Sequence, residues 1–420
     1  MFWLIENEKQ FEGLYNHHYK EAFVEIIPFN NNIHPTQNEI CAVYIRPLLA
    51  TKGYMLPISH SETLTLSIDN IERILSQYNK VHTRDKKEFL HYFPLKTLYD
   101  ITIESNTYIP TYTQAHSYFY SNYANKSDIN TIIPIVKHYE YCETVWKDLR
   151  QMTAIKPNEF FNNEASIVFN MIERNGIKVN KELFEKNFHP INGDMVFTQF
   201  NFKTITRRPS NKFNGVNYAA LSKQSGVREA FIPQNDLLVE VDISAYHPTL
   251  LAKLVNYDFE GEDIHKAFAK MYNVEYKKAK EITFQQLYGG IFDEYKELPF
   301  FKLVQEYTDK LWDQFVNDQY ITCPISEWKI FMADTNDMNP PKLLNYVLQN
   351  LETTYNVKLL WKVLKLLRGC NTKIVLYTYD SVLLDFDMED KEVLKELLAI
   401  FSDHGLKYSI VKGVNYQEMA

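Results

Sequence analysis

Asp242, Asp380 and Lys280 are the residues of this 420-residue chain whose types and settings could do chemistry together. Asp242 closes the apolar run Leu237–Ile243 (LLVEVDI), which reads as a buried strand. Asp380 lies between two more apolar runs, 373–378 and 382–386, joined by Tyr379-Asp380-Ser381 as a tight hairpin. A strand end and a hairpin tip side by side on one sheet would hold two carboxylates rigidly together. Such a pair can bind two Mg²⁺ ions ~4 Å apart, with Mn²⁺ as an alternative, and so neutralise the transferring group and the attacking and leaving oxygens of a phosphoryl transfer. Lys280 lies on a stretch, 275–287, that has no Gly or Pro and ends in Gly289-Gly290, so it reads as a helix. From there it would bind a triphosphate and could protonate the leaving pyrophosphate. Phe284 and Tyr288 follow at one-turn spacing on the same face, which Lys277 shares, and would stack on bases.

Each piece has a plainer reading alone. An Asp at a strand end is usually a turn residue, a helical Lys is usually solvated, and a Phe at helical spacing is usually core. The elements that must position them give the order. His247-Pro248-Thr249 begins a helix after the Asp242 strand, with Pro in the first turn where its missing N–H does no harm. In the first third, 23–27, 39–46 and 53–58 are β-branched and aromatic runs separated by turn formers, which predicts an α/β domain. From 131 to 174 the pattern is helical and Asn175-Gly176 stops it. The spacing places a domain boundary near residue 150.

Composition narrows the class. The apolar fraction is that of a globular protein, no run is long enough for a membrane span, and MFWLIENEKQ lacks the basic start of a secretory signal, so a cytoplasmic protein is expected. Cys41, Cys142, Cys323 and Cys370 form no CxxC pair, which suggests four reduced thiols and neither a zinc site nor disulfides. The net charge of −8 argues against a nonspecific nucleic-acid coat. Two basic clusters stand out, 206–212 (TRRPSNK) and Lys277-Lys278-Ala279-Lys280, either of which could be a solvated face. The abundance of Tyr, Phe and Asn fits an AT-rich genome as well as base stacking.

From about Phe160 onward the ordered motifs resemble those of family A DNA polymerases. Ile172 to Ile177 (IERNGI) is similar to the segment leading into the thumb, and Thr206 to Ser210 followed by Asn217 to the TGRxS…N segment, in which Arg208 would hold primer-template backbone. Val227 to Pro233 resembles the approach to motif A, and Val241-Asp242-Ile243-Ser244 motif A itself. Gly261 to His265 (GEDIH) matches a segment whose His reaches the triphosphate, and Lys280 to Gly289 (KEITFQQLYG) matches motif B. Asn345 and Gln349 fit a helix whose amides touch the primer-template minor groove. Tyr379-Asp380-Ser381 stands for motif C, and Gly413 to Tyr416 for the closing GxNW-like strand.

The resemblance implies an α+β fold: a right-hand palm and fingers with a short or absent thumb, preceded by an α/β, ribonuclease H-like exonuclease domain. The domains would be 1–150 and 151–420, with thumb 160–205, palm 206–260 and 340–420, and fingers 261–339. Implied metal ligands are Asp242, Asp380 and the Ile243 carbonyl. His265, Lys277, Lys280, Phe284, Tyr288 and His247 would bind the nucleotide; Arg208, Asn217, Asn345, Gln349 and Tyr379 would bind primer-template DNA.

Departures qualify this. The Glu that gates out ribose is replaced by His247, beside Tyr246, and motif C has Tyr379 and Ser381 where the family has His and Glu. A serine after that Asp is found in single-subunit phage-type RNA polymerases, whereas Phe284 points back to DNA synthesis. The motif B arginine is replaced by Tyr276, which leaves Lys277 for phosphate contact. Only about two dozen residues separate Asn180 from Thr206, so the thumb is reduced and a distributive enzyme, or a processivity or thumb-replacing partner, is expected. The exonuclease Asp-x-Glu is missing: the first aspartate is Asp69, and the corresponding strand, 24–27, keeps only Glu25. Leu98-Tyr99-Asp100 resembles a later exonuclease strand and 82–89 a decayed motif, which implies no proofreading. The expectation is a compact, phage-like DNA polymerase using dNTPs. The alternatives are an RNA polymerase or primase-like enzyme, and an inactive primer-template binding protein.

Overall fold

The computed structural model describes residues 3–103, 119, 122, 129–154, 158–211 and 216–419. Its chain divides into two units, Met1–Arg174 and Asn175–Ala420. The first contains β1 (Trp3–Leu4), α1 (Glu8–Tyr15), β2 (Glu21–Pro28), β3 (Ile40–Pro47), β4 (Tyr54–Pro57), α2 (Ile68–Ser76), β5 (Lys80–Thr83), α3 (Lys86–Tyr92), β6 (Leu98–Asp100), α4 (Ile135–Leu149) and α5 (Ser166–Asn175), which runs into the division. The strands form one sheet in the order β1-β4-β3-β2-β5-β6. β2, β3 and β4 are antiparallel, and β5 and β6 continue the sheet parallel to β2.

Alternation along these strands feeds two cores, as a sheet covered on both faces requires. Val24, Val43, Ile45 and Leu56 pack with Phe11, Ile71 and Ile74 of α1 and α2. Phe23, Ala42 and Tyr44, one residue out of phase, pack with Ile135, Tyr139 and Trp146 of α4. This is the α/β sheet expected for the first third.

The division falls at 174/175 and not near residue 150. The helical stretch beyond 150 belongs to the first unit because its buried polar groups find partners there: Asn162 Nδ2 donates to Asp100 O at 3.1 Å and Asn170 Nδ2 to Lys87 O at 3.0 Å. The expected thumb segment, 160–205, therefore straddles the two units. Glu173 is fully buried and accepts from Lys87 Nζ at 2.8 and 2.9 Å and from His91 Nε2 at 2.8 Å. Gly176 ends α5 at φ +63°, the left-handed conformation a helix stop favours.

The second unit continues with β7 (Ile177–Lys178), α6 (Lys181–Asn187), β8 (Met195–Val196), β9 (Phe200–Asn201) and β10 (Ser210–Asn211). One seven-residue helix, α6, is thus all the α-helix between Asn180 and Thr206. Then come β11 (Leu237–Ile243), α7 (Tyr246–Leu254), α8 (Ile264–Tyr272), α9 (Tyr276–Gly289), α10 (Pro299–Asp318), β12 (Tyr320–Thr322), β13 (Lys329–Phe331), α11 (Pro340–Leu366), β14 (Lys373–Thr378), β15 (Ser381–Phe386), α12 (Lys391–Asp403) and β16 (Tyr408–Gly413). An antiparallel sheet, β14-β15-β11-β16, forms its centre. Leu238, Val375, Leu376 and Leu383 pack there against Phe184, Tyr218 and Phe231. A separate aromatic cluster joins α8 to α10: Phe268 meets Phe300 at 5.3 Å and Phe301 at 5.8 Å between ring centroids.

Two local expectations change. Residues 414–416 are not strand: β16 ends at Gly413, where a Cβ would come within 2.8 Å of Glu418, and Tyr416 begins a 3₁₀ turn. The basic stretch 206–212 is not a solvated face, because Arg207 is 1% exposed with its guanidinium 3.7 Å from the Trp328 ring. Lys212 lies outside the described residues.

The buried ion pair gives a test of the first unit. Lys87→Met strands the Glu173 charge and should lower stability by about 3–5 kcal/mol in urea unfolding. Adding Glu173→Leu should restore much of that loss, and an unchanged midpoint in the single variant would remove the pair from the account of stability.

Candidate active site

Register brings the two aspartates together. On β11 Glu240 and Asp242 are two residues apart and so face the same side of the sheet. Asp242 pairs with Ser381 across the β11–β15 ladder, and the Ile243 N–H donates to Asp380 O at 2.8 Å. The turn itself is unusual, since Tyr379 has φ +62°, a conformation costly for a bulky residue. It is held from α11: Asn356 Nδ2 donates to Tyr379 O at 2.6 Å and to the Tyr377 hydroxyl at 2.8 Å, while Asn356 Oδ1 accepts from the Tyr246 hydroxyl at 2.9 Å.

The carboxylates are electrostatically poised. Desolvation, the Asp380 charge and Glu240 push Asp242 up to about 6, with Lys223 and Lys280 opposing. Asp380, exposed at the turn, is also raised, by desolvation of its carboxyl and then by Glu352, with Arg208 and His247 opposing. Crowded carboxylates whose protonation is made easier in this way are what a cation would relieve. Glu240, 7% exposed, is already satisfied by the Ser381 hydroxyl at 3.0 Å and the Tyr416 hydroxyl at 3.3 Å.

Helix α9 carries the expected face. Lys277 and Lys280 are exposed, and Phe284 and Tyr288 stack with centroids 6.0 Å apart and planes at 15°. Lys280 acts electrostatically on both Asp242 and His265, whose pKa is lowered by desolvation first and then by that lysine. The His265 ring lies 6.2 Å from Phe284 and 5.7 Å from Tyr276. Lys278 is paired with Glu281 at 3.3 Å, which leaves the other two lysines of this run outside that pair.

Behind the aspartates lies a buried network. His247 Nε2 contacts the Glu352 carboxylate, and its Nδ1 lies 2.9 Å from the Tyr288 hydroxyl. Arg208 Nε donates to Glu352 Oε1 at 3.2 Å, and its guanidinium lies 3.8 Å from the Tyr379 ring. The Thr206 hydroxyl donates to Gln349 Oε1 at 3.0 Å. Asn345, Gln349, Glu352 and Asn356 follow one face of α11 at helical spacing, and Asn345 Oδ1 is buried without a hydrogen-bond partner. Asn217 stands exposed at the start of a 3₁₀ turn, outside this network. Asp385 accepts from the Gln234 and Asn235 N–H groups at 3.0 and 2.9 Å, and Asp387 from the Glu389 N–H at 2.8 Å, so both hold backbone N–H groups of neighbouring turns.

Sequence reasoning missed Glu240, Glu352 and Asn356. A signal existed for Glu240, a charge inside the apolar run LLVEVDI two residues before Asp242. Glu352 and Asn356 shared the spacing of Asn345 and Gln349, but only the fold shows what they meet.

No family model and no curated protein matches this chain. Among solved structures, 153 chains match. One is the POL domain of Pol1 from M. smegmatis in complex with DNA primer-template and dNTP, with TM-score 0.69 and 13% identity over 99% of each chain. At that identity the likeness concerns the fold, and the chain has the fold of a DNA polymerase domain.

The raised Asp242 has a measurable consequence in chelator-treated protein. Its folded pKa lies above the unfolded one, so the folded chain holds that proton more tightly; the stabilisation is full below the ordinary carboxyl range and is lost as pH rises through about 6. With half-exposure screening it, the loss between about pH 5 and 7.5 should be under about 1 kcal/mol. Urea unfolding of Asp242→Asn should show a smaller loss than the wild type, and equal losses would assign the dependence to another group.

Proposed function

We propose that the chain is a template-directed DNA polymerase adding deoxynucleotides to a primer 3′ end. The observation that carries this reading is the placement of Asp242, paired with Ser381, beside Asp380 in the adjoining hairpin turn, with Lys280 acting on Asp242 from the α9 face that also bears Phe284 and Tyr288. The fold is that of a domain solved with DNA primer-template and dNTP.

The carboxylates of Asp242 and Asp380 and the Ile243 carbonyl fit divalent cations, Mg²⁺ in the first instance, because desolvation and then neighbouring carboxylates disfavour the charged form of both aspartates, which a bound cation would offset. Such ions, when bound, lower the pKa of the primer hydroxyl and stabilise the charge at phosphorus. The side chains supply the rest. Lys280 and Lys277, with His265, bind the triphosphate, and Lys280 Nζ donates a proton to the leaving pyrophosphate. Phe284 and Tyr288 stack on the incoming base and the templating pair. Tyr288, tied to His247, sets the wall against the sugar, where His247 takes the place of the gate glutamate.

Arg208, Tyr379, Gln349, Asn345 and Asn217 are assigned to primer-template. Arg208 and Gln349 already have protein partners, so they meet DNA as parts of the network and not as free side chains. With only α6 between Asn180 and Thr206, synthesis is distributive or relies on a thumb-replacing partner. Proofreading is assigned as absent: Glu25 is bound by Arg84 at 2.7 and 2.9 Å, and Asp100 caps backbone at Lys86 and Thr102.

Ser381 and His247 favour one rival, a ribonucleotide polymerase. Primer extension with dNTPs and rNTPs in separate reactions decides between them. Extension with dNTPs, falling on the order of a thousandfold in Asp380→Ala, is expected. Extension by rNTPs alone moves the chain to RNA synthesis. Binding without extension at any Mg²⁺ or Mn²⁺ concentration leaves a primer-template binding protein. Loss of a 3′ end-trimming activity in Glu25→Ala would overturn the absence of proofreading.

A further inference from the structure

Three residues far apart in the sequence meet inside the first unit. Cys41 on β3, His60 after β4 and His138 in the first turn of α4 are 0%, 4% and 1% exposed. One ligand atom from each lies within 4.8 Å of the others. Backbone hydrogen bonds enforce the meeting. The Ile58 and Ser59 N–H groups both donate to Cys41 O, at 2.9 and 3.0 Å, which folds the segment carrying His60 against β3. The Ser61 N–H donates to Thr131 O at 3.3 Å and the Ile135 N–H to the Glu62 carboxylate at 3.2 Å, which brings in the start of α4.

The two rings are held in one tautomer. His60 Nε2 meets Ile133 O at 2.8 Å and His138 Nε2 meets Asn130 O at 2.9 Å. A carbonyl oxygen only accepts, so each Nε2 carries the hydrogen and each Nδ1 presents a lone pair. His60 Nδ1 accepts from the Glu62 N–H at a long 3.2 Å, whereas His138 Nδ1 is buried with no hydrogen-bond partner. An imidazole that donates one nitrogen to a backbone carbonyl and keeps the other nitrogen's lone pair, in a cluster with a buried thiol, is arranged as metal-binding imidazoles commonly are. Burial also holds His138 neutral, down to about 4, and raises the Cys41 thiol to about 12.

We infer that Cys41 Sγ, His60 Nδ1 and His138 Nδ1 form a buried binding site for a borderline-soft divalent ion, Zn²⁺ by preference. On binding, the Cys41 S–H bond breaks, the proton leaves to solvent, and the sulfur lone pair forms the bond to the metal. The +2 charge is reduced to +1 with both imidazoles neutral. Tetrahedral zinc, with bonds of about 2.0–2.3 Å, places ligand atoms about 3.5 Å apart, a spacing that small side-chain rotations reach. One thiolate and two imidazoles select Zn²⁺ over Mg²⁺, so the site differs in kind from the Asp242–Asp380 pair. A water completes the coordination. The ion cross-links β3, the segment after β4 and α4, and so braces the sheet of the first unit. A second candidate, His34 with His91 and Glu173, does not carry the same argument, because both Glu173 oxygens are already engaged by Lys87 and His91.

The full-length chain, purified without chelator, is analysed for metal and titrated with Co²⁺, whose thiolate charge-transfer absorption no carboxylate site can produce. Retained zinc of about one ion per chain is expected, with a Co²⁺–thiolate band that excess Zn²⁺ abolishes. Cys41→Ser should remove the band and lower zinc affinity at least about tenfold, and His138→Gln should lower it by about tenfold. Cys370→Ser, at the partly exposed thiol, should change neither. Should Cys41→Ser fail to fold, the wild-type titration and His138→Gln decide the matter. A wild-type chain with no zinc and no band under excess Co²⁺ overturns the site, as does a band that persists in Cys41→Ser.

Discussion

The β11–β15 register is the constraint on which the site depends. Pairing Asp242 with Ser381 places the two aspartates at neighbouring strand ends, and a slip of one residue would turn Glu240 and Asp242 to the opposite face of the sheet. The apolar residues of β11 and β15 fix that register by burial: Leu238 and Leu383 belong to the same core cluster, so the hydrophobic core and the carboxylate geometry are set by one ladder. The aspartates repel each other and are desolvated, so the sheet holds in place an arrangement that its charges oppose.

Helix α11 supplies the compensation. Three of its buried polar side chains are satisfied by residues of other elements: Asn356 by the hairpin turn and Tyr246, Glu352 by His247 and Arg208, and Asn350 by Thr206 O at 3.1 Å and the Ser326 hydroxyl at 2.7 Å. Buried polar groups of this kind are costly unless every partner is present, so the network admits one arrangement of the hairpin and α7 relative to α11. Through the Tyr288 hydroxyl it reaches α9, and a movement of α9 on substrate binding would have to exchange that hydrogen bond for another.

The first unit shows a different economy. Its sheet keeps the strand order and two-sided core of an α/β domain, yet Glu25 is bound to Arg84 and Asp100 caps backbone. These two carboxylates are committed to internal partners, while a buried imidazole nitrogen without a hydrogen-bond partner, that of His138, lies elsewhere, in the cluster with Cys41.

By itself the sequence determined the strands and helices that carry Asp242, Lys280 and Asp380, because each is an apolar run or a stretch without Gly or Pro bounded by clear breakers. β11 and β14 have their expected limits, and α9 closely follows the stretch predicted for it. It also showed the short interval after Asn180. Only the tertiary structure decided the division at 174/175, the commitment of Arg207 to Trp328, and the partners of Glu352, Asn356 and His138. The physical reason is common to all of these. Local periodicity records which side of an element is buried, whereas the partner of a buried polar group is chosen by elements distant in the chain and leaves no local pattern.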